Sequence, residues 1–379
     1  MTGSTERAGL AHGTRVLLTV AAAIVVFVGV WLARDVLAPA AVAAVVVIVA
    51  HPVRHPLERA GWPRWAATTA VIVVAYLILA ALAALLVFAS AQFVRMLPDY
   101  ADELRDTAEA IGSLLGGLGV SDEAAEAGAS LLHPDTLVGV ATAVADAVLG
   151  FATAFFFVLA YVIFMAADAA RFARGGTVFG GRDGAGDAIG RRYFTGVRRY
   201  YIVNATFGAI VAVVDGLALW ALGVPIPAVW AILAFVTNFI PNIGFVLGVI
   251  PPAVLALVIG GWPLALAVIA IYSVVNVVLQ VLVQPKFVSD AVSLSLTLTF
   301  FSVVFWALVI GPIGALLSIP LTLLVRALLL EPDERAVVLR RLSGDPQAPP
   351  EAVPPPTPPP VGPAAGDPEG SASTAAPGA

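Results

Sequence analysis

The sequence predicts an all-α, polytopic transmembrane helical protein of about eight spans, with one small extracytoplasmic helical insertion and broken helices in its C-terminal half. Three observations lead there. Hydrophobic residues make up 60% of the 379-residue chain and charged residues only 12%, too few for the surface of a soluble protein of this size. Apolar runs near twenty residues recur, each long enough to cross a hydrocarbon core of about 30 Å. The runs are apolar all round, whereas the strands of a membrane β-barrel alternate with period two.

The elements follow in order along the chain. Residues 1–14 are read as a disordered N-terminus. Val16 to Trp31 is the first apolar run; it follows Arg7, His12 and Arg15, has no small-x-small cleavage site, and is taken as an uncleaved span. Arg34 and Asp35 separate it from Val36–Ala50, where Pro39 suits a first helical turn. The two runs are expected to form a tight hairpin rather than one long broken helix. Arg54, Arg59 and Arg64 make a basic loop with Trp62 and Trp65 as interface anchors. A third span covers about Trp65–Ser90. Leu97, Tyr100, Leu104, Ala108, Ile111 and Leu115 then recur every three or four residues, the pattern of an amphipathic helix.

Positions 91–140 hold nine acidic residues against two arginines, so 91–136 is read as an extracytoplasmic insertion. Span four runs from about Leu137 to Met165. The basic loop 171–199 follows, and Ile189–Tyr201 is expected to be an amphipathic helix whose arginines meet anionic headgroups. Spans five to eight are Tyr201–Leu222, Ala228–Leu257, Leu264–Val283 and Leu298–Leu330. The last is broken by Gly311, Pro312, Gly314 and Pro320. Residues 343–379 form a proline-, alanine- and glycine-rich tail that cannot build a core. The transmembrane permease domain is therefore 15–342.

Arginine accounts for all but one of the 20 basic residues, the exception being Lys286. The N-terminus, the 54–64 and 171–199 loops and Arg335, Arg340 and Arg341 share one side of the eight-span scheme. By the positive-inside rule the termini are cytoplasmic, in a multi-pass protein of the bacterial inner membrane.

Several classes of chemistry are set aside. The chain has no cysteine and only four histidines; His51 and His55 could share a helix face but lack a third ligand, so no metal site is assigned. There is no GxxxxGK[ST], no Rossmann fingerprint and no HExxH. No catalytic residues, cofactor or nucleic-acid partner is expected, and the chain is not read as an enzyme. Its partners would be the lipid bilayer and a small polar solute or monovalent cation, with a homo-oligomer left open.

Polar side chains inside apolar runs carry the functional argument, because they must line a cavity or bond a partner. Asn204, Gly208, Val211 and Asp215 fall on one face of span five. Asp215 could bind a cation, carry a proton or contact a polar ligand, or it could make a structural bond to Asn276 or a backbone group. Ser273, Asn276, Gln280 and Gln284 share a face of span seven, as a lined pathway or as polar glue between helices. In Thr237–Gly244, Pro241 removes a backbone donor while Asn238 and Asn242 offer replacements, ending at Gly244. Such breaks are where transporters place binding sites; a re-entrant hairpin or simple turn is the alternative. Lys286 could pair with Asp290 at the interface.

Tyr193-Phe194-x-Gly196 to Tyr200, then GVPIPAVWAILAFVTNFIPNIGFVLGVIPP from Gly223, QPKFVSD from Gln284, and Gly311-Pro312-Ile313-Gly314-Ala315 to Ile319-Pro320-Leu321 resemble the autoinducer-2 exporter-like (PerM-type) permease family. The resemblance covers about 15–342 and is strongest over 191–326. It implies eight spans with an extracytoplasmic insertion after the third, and transport of a quorum-sensing signal such as autoinducer-2, or sodium or proton exchange. The chain lacks the Leu-x-Pro that members often carry after the QPKFVSD block. Secondary transport of a small polar solute is the favoured expectation; a cation/proton antiporter and a non-transporting membrane scaffold are the alternatives.

Overall fold

The computed structural model describes residues 12–117, 139, 142, 155–168, 185–241, 243–284, 294–332 and 336–344. All regular structure among them is helical. Helix α1 is His12–Leu32 and α2 is Arg34–Ala50; a 3₁₀ turn leads into α3, Arg54–Arg59. Next come α4, Arg64–Met96, and, after a second 3₁₀ turn, α5, Ala101–Gly117. Helix α6 is Phe155–Asp168 and α7 is Ala185–Ala221. Helix α8 is Pro227–Thr237; α9, Gly244–Asn276, continues as a π-helical stretch through Val283. Helix α10 is Leu296–Ile310, α11 is Pro312–Leu316, α12 is Ser318–Val325 with a π-helical extension to Leu330, and α13 is Val337–Leu342.

Among the described residues, four helical stretches are long and apolar enough to cross a bilayer: Arg34–Arg59, Arg64–Tyr100, Ala188–Ala221 and Gly244–Val283. Shorter apolar helices, among them Pro227–Thr237 and Leu296–Ile310, supplement them. Outward faces carry large apolar side chains such as Leu77, Phe164, Trp220 and Leu308, a surface suited to lipid tails and not to water. The structure thus supports a polytopic membrane fold.

Three packing layers hold the bundle. Ala43, Val47, Val71, Ala75, Val158 and Val162 join α2, α4 and α6, where the Tyr76 hydroxyl also donates to Leu159 O at 2.9 Å. Val45, Val197, Tyr200, Tyr201, Leu317 and Leu323 join α2, α7 and α12. Met96, Leu219, Trp230, Val249, Val268 and Tyr272 join α4, α7, α8 and α9.

Two helical hairpins enter from opposite ends. The first is α8 and the front of α9. Eleven residues of α8 rise only about 16 Å, half a bilayer core. The chain then reverses after Thr237, and Gly244 and Gly248 pack back against Thr237 and Ala234. The second is α10, which turns at Gly311 (φ 91°) and returns as α11 and α12. Its ends lie by the arginines, where Ser295 N donates to Ser343 O at 3.2 Å and Glu331 meets Arg192. The tips meet at α7: Tyr201 stacks on Phe239 of the first and donates to Leu316 O of the second at 3.1 Å.

Some expectations change. Helices α1 and α2 are separated by the single residue Ala33 (φ −93°, ψ 7°), and Ala33 N still donates to Gly29 O at 3.0 Å. One near-helical residue bends a helix and cannot reverse it, so the expected tight hairpin is a kinked continuation. The Ile189–Tyr201 segment and span five are one 37-residue helix, because nothing between Arg192 and Asp215 breaks it. Spans six and seven, by contrast, do not run on from one another: the backbone at Gly261 is non-helical (φ 66°, ψ −168°), and Gly248 and Tyr272 on either side of it line one cavity, so the chain turns back there. Only part of the 91–136 insertion and of the 171–199 loop falls among the described residues.

Both hairpins depend on a glycine at the reversal. A Cβ at Gly244 would overlap the Thr237 carbonyl, and one at Gly314 would overlap the Trp306 carbonyl, whereas Gly29 faces open space. Backbone on both sides cannot give way, so Gly244→Ala and Gly314→Ala should each destabilise the protein by at least ~1–3 kcal/mol. Gly29→Ala should leave stability level or slightly raised. Thermal unfolding of the detergent-solubilised protein, followed by size-exclusion profile, checks this. A Gly244→Ala protein melting with the wild type would refute the packing described.

Candidate functional site

Helix α7 supplies one wall of the site. Asn204, Gly208, Val211 and Asp215, placed four, three and four residues apart, are all buried, while Ile210, Val213 and Val214 point outward. The apolar face turns to lipid and the small and polar face turns inward, the reverse of a soluble helix. Gly208 has a specific purpose: a Cβ there would lie 2.8 Å from Asn238 Nδ2. Without it, the first hairpin could not approach α7.

The hairpin tip is held by bonds that replace helical ones. Asn238 donates from Nδ2 to Asn204 O at 2.9 Å. Ile240 N donates to Thr237 O at 2.9 Å, and Gly244 N to Ile240 O at 3.0 Å. The Thr237 hydroxyl donates to Leu233 O at 2.9 Å. Tyr200 reaches Phe239 O from α7 at 3.5 Å. The reversal is therefore the re-entrant hairpin that stood as an alternative for this segment, with polar replacements of the kind its asparagine content suggests.

The second half of α9 supplies the opposite wall. Asn276 donates to Tyr272 O at 2.8 Å and accepts from Gln280 Nε2. One turn further, Gln284 donates to Asn204 Oδ1 at 2.7 Å across to α7. Ser273, on the same predicted stripe, turns its hydroxyl to Ile269 O at 2.7 Å and lies outside the cavity lining.

Between the walls is a narrow cavity lined by Asp215 and Val211 of α7, Thr237 and Asn238 of the tip, and Tyr272 and Asn276 of α9, with Gln280 at its edge. The cavity is small, with room for roughly one water. Asp215 is 0% exposed and Tyr272 1%. Among the described residues, neither Asp215 oxygen nor the Tyr272 hydroxyl has a hydrogen-bond partner. The structural alternative for Asp215, a bond to Asn276 or a backbone group, is not made: both Asp215 oxygens lack a partner, while the Asn276 amide donates to Tyr272 O and its oxygen accepts from Gln280.

The structure brings together Asn204, Asp215, Asn238, Gly244, Asn276, Gln280 and Gln284. Pro241 sits half-buried at the tip, away from the cavity lining. Gly311, Pro312, Gly314 and Pro320 belong to the second hairpin, where Gly314 and Pro320 are buried in packing. Asn242 and Lys286, with Asp290, lie outside the described residues. Sequence reasoning missed Tyr272, the largest fully buried side chain among the described residues. Its position four residues before Asn276, on the same helix face, was the available signal.

A helical bundle that faces apolar side chains outward, reverses two hairpins inside itself and buries a carboxylate at their junction defines the class of polytopic membrane transport proteins. Comparison with known proteins agrees: the model of the AI-2E family transporter matches residues 20–331, and the chain belongs to that family. It is 27% identical over 315 residues to the AI-2 transport protein TqsA of Escherichia coli K12, covering 83% of this chain and 91% of that one. It is 27% identical over 317 residues to the putative transport protein YhhT of the same organism, covering 82% and 88%. A putative transport protein of Haemophilus influenzae is 26% identical over 336 residues, covering 87% and 96%. The protein is thus a membrane transporter and not an enzyme.

The Asn238 bond to α7 should fix the hairpin tip. Asn238→Ala removes one tie between the tip and α7 while the Asn204 carbonyl keeps its helical bond, and should destabilise the tip by about 0.5–1.5 kcal/mol. Amide exchange measured by mass spectrometry should accelerate over 236–244 and stay unchanged in α2 and α4. Unaltered exchange at the tip would show that the bond does not hold it.

Proposed function

We propose that the chain is a secondary permease of the bacterial inner membrane that moves a small polar solute past the tip of the first hairpin. The observation that carries this reading is the position of that tip. A backbone reversal, a row of amide side chains and a fully buried carboxylate converge on one cavity between α7 and α9. Backbone reversals at membrane depth are tolerated where they are buried in protein or line a path, and discontinuous helices are where transporters bind their cargo.

The amide row gives the path a direction. Asn276 and Gln280 border the cavity, and Gln284 and Asn204 close the next turn toward the arginines. With room for about one water, the cavity cannot hold a multi-atom solute in this conformation, so the state is occluded. Opening requires Gln284 to release Asn204 or the hairpin tip to leave α7. The sequence carries no phosphate-binding P-loop or Rossmann fingerprint, which favours an ion gradient as the energy source.

The ends of the bundle suit the orientation. His51 lies within electrostatic reach of Arg198 and Arg54, and Arg192 and Arg326 both meet Glu331 at 3.4 Å. The arginines of three chain segments therefore gather at one end. Helix α5, with its acidic residues, packs through Leu104 on Val258 and Phe93 at the other. The arginine end is assigned to the cytoplasm and the 91–136 insertion to the outside. The similarity to an AI-2 transport protein of Escherichia coli makes autoinducer-2 the first solute to try.

Reconstitution tests the proposal. Proteoliposomes loaded in turn with autoinducer-2, neutral sugars, polyols and amino acids should show saturable flux of at least one. Asn276→Ala and Gln280→Ala should slow that flux about ten-fold or more, a loss of the order of one good polar contact. Leu266→Ala, on the exposed face, should not. Leakage no greater than from empty liposomes for every solute, under both proton and sodium gradients, would sink the permease assignment and favour a scaffold.

A further inference from the structure

An ionised carboxylate with no exposed surface and no donor on either oxygen is strongly unfavourable in a low-dielectric interior. Asp215 meets that description among the described residues. The residues lining its cavity, drawn from α7, α8, the hairpin tip and α9, include no arginine, lysine or histidine; Tyr272 is the other titratable group among them. The adjacent amides do not bond the carboxylate: Asn276 donates to Tyr272 O and Gln280 donates to the Asn276 oxygen. The Tyr272 hydroxyl faces the same space without a partner of its own. Two unsatisfied polar groups, one of them acidic, therefore share a gap that admits about one water-sized body.

That combination specifies the occupant. It carries a positive charge, since the carboxylate has no other counter-charge in the lining. It is small and dehydrated, since a hydration shell does not fit. It is monovalent, since divalent cations such as calcium require six or more oxygen ligands and one carboxylate would leave net charge buried. We propose that Asp215 and Tyr272 form a single-occupancy site for one positive charge, a proton or a small monovalent cation, seated on the Asp215 carboxylate with the Tyr272 hydroxyl oxygen as its second ligand. Because the site lies at the junction of α7 with the hairpin tip, its occupancy sets whether the occluded state is electrically neutral. The role as coupling ion rests on the permease reading; the site itself does not.

Infrared difference spectroscopy on the full-length protein in nanodiscs tests it without any flux measurement. Stepping from acid to alkaline buffer should remove a protonated-carboxyl C=O band that is missing from Asp215→Asn and displaced in Tyr272→Phe. Repeating the step with lithium, sodium or potassium chloride against a large organic cation separates the sources. A band indifferent to salt identifies the proton as sole occupant. A band lost at fixed pH on adding one of the three identifies that cation as displacing the proton; both results support the site. Where a metal cation binds, Tyr272→Phe should raise its half-saturating concentration about ten-fold or more. If Asp215→Asn proves unstable, Tyr272→Phe and the wild-type salt series still decide the matter. Wild-type and Asp215→Asn spectra that coincide under every condition would overturn the proposal. An intact band in a protein that moves no solute would instead overturn the permease reading and leave the site standing.

Discussion

A chain that reverses inside a membrane has no water to take up the amide and carbonyl groups it frees, and this constraint organises the molecule. The first hairpin answers it locally. Thr237 O accepts from Ile240, Ile240 O accepts from Gly244, and the Thr237 hydroxyl bonds back into α8. It also answers it from α7, where Asn204 O receives the Asn238 amide and Tyr200 reaches Phe239 O. The second arrangement draws α7 against the tip, which is why Gly208 faces Asn238. Satisfying the backbone and assembling the cavity are the same structural act: the contacts that close the break bring Asp215 beside Tyr272 and Asn276.

Much of this was legible because it rests on helical periodicity. Asn204, Gly208, Val211 and Asp215 could be placed on one face from spacing alone, and that face is buried. Asn238 and Gly244 were legible as a break because proline, asparagine and glycine each interrupt a helix for a known reason. Tyr272 was not, since an aromatic residue in an apolar run has the same appearance whether it packs or faces a cavity. The joint at Ala33 was also hidden, because Arg34 and Asp35 read as loop residues while the backbone there stays nearly helical. The break between spans six and seven was legible from their bounds, and it falls at Gly261, where the backbone leaves the helical region.

The second hairpin uses different means at its membrane-end anchor. Glu331, its side chain 4% exposed, lies between Arg326 of its own hairpin and Arg192 of α7. A shielded carboxylate between two guanidinium groups binds the start of α7 to the end of α12, while Tyr201 links the same helix to the Leu316 carbonyl at the tip. Helix α7 is thus held at both the base and the tip of one hairpin and at the tip of the other. Any movement of a hairpin must be transmitted through it, and it carries Asp215.

The π-helical stretch at Val277–Val283 has a further consequence. Such a stretch accommodates an extra residue within otherwise α-helical chain. Removing a single residue from it would restore ordinary α-helix without altering apolar character, yet would rotate Gln284 relative to Asn276 by about 100°. Gln284 would then swing off Asn204 while Gln280 stayed near its place. Among descendants of a common ancestor, one codon gained or lost here is enough to re-aim one end of the amide row, a route to altered selectivity that no substitution in the cavity would provide.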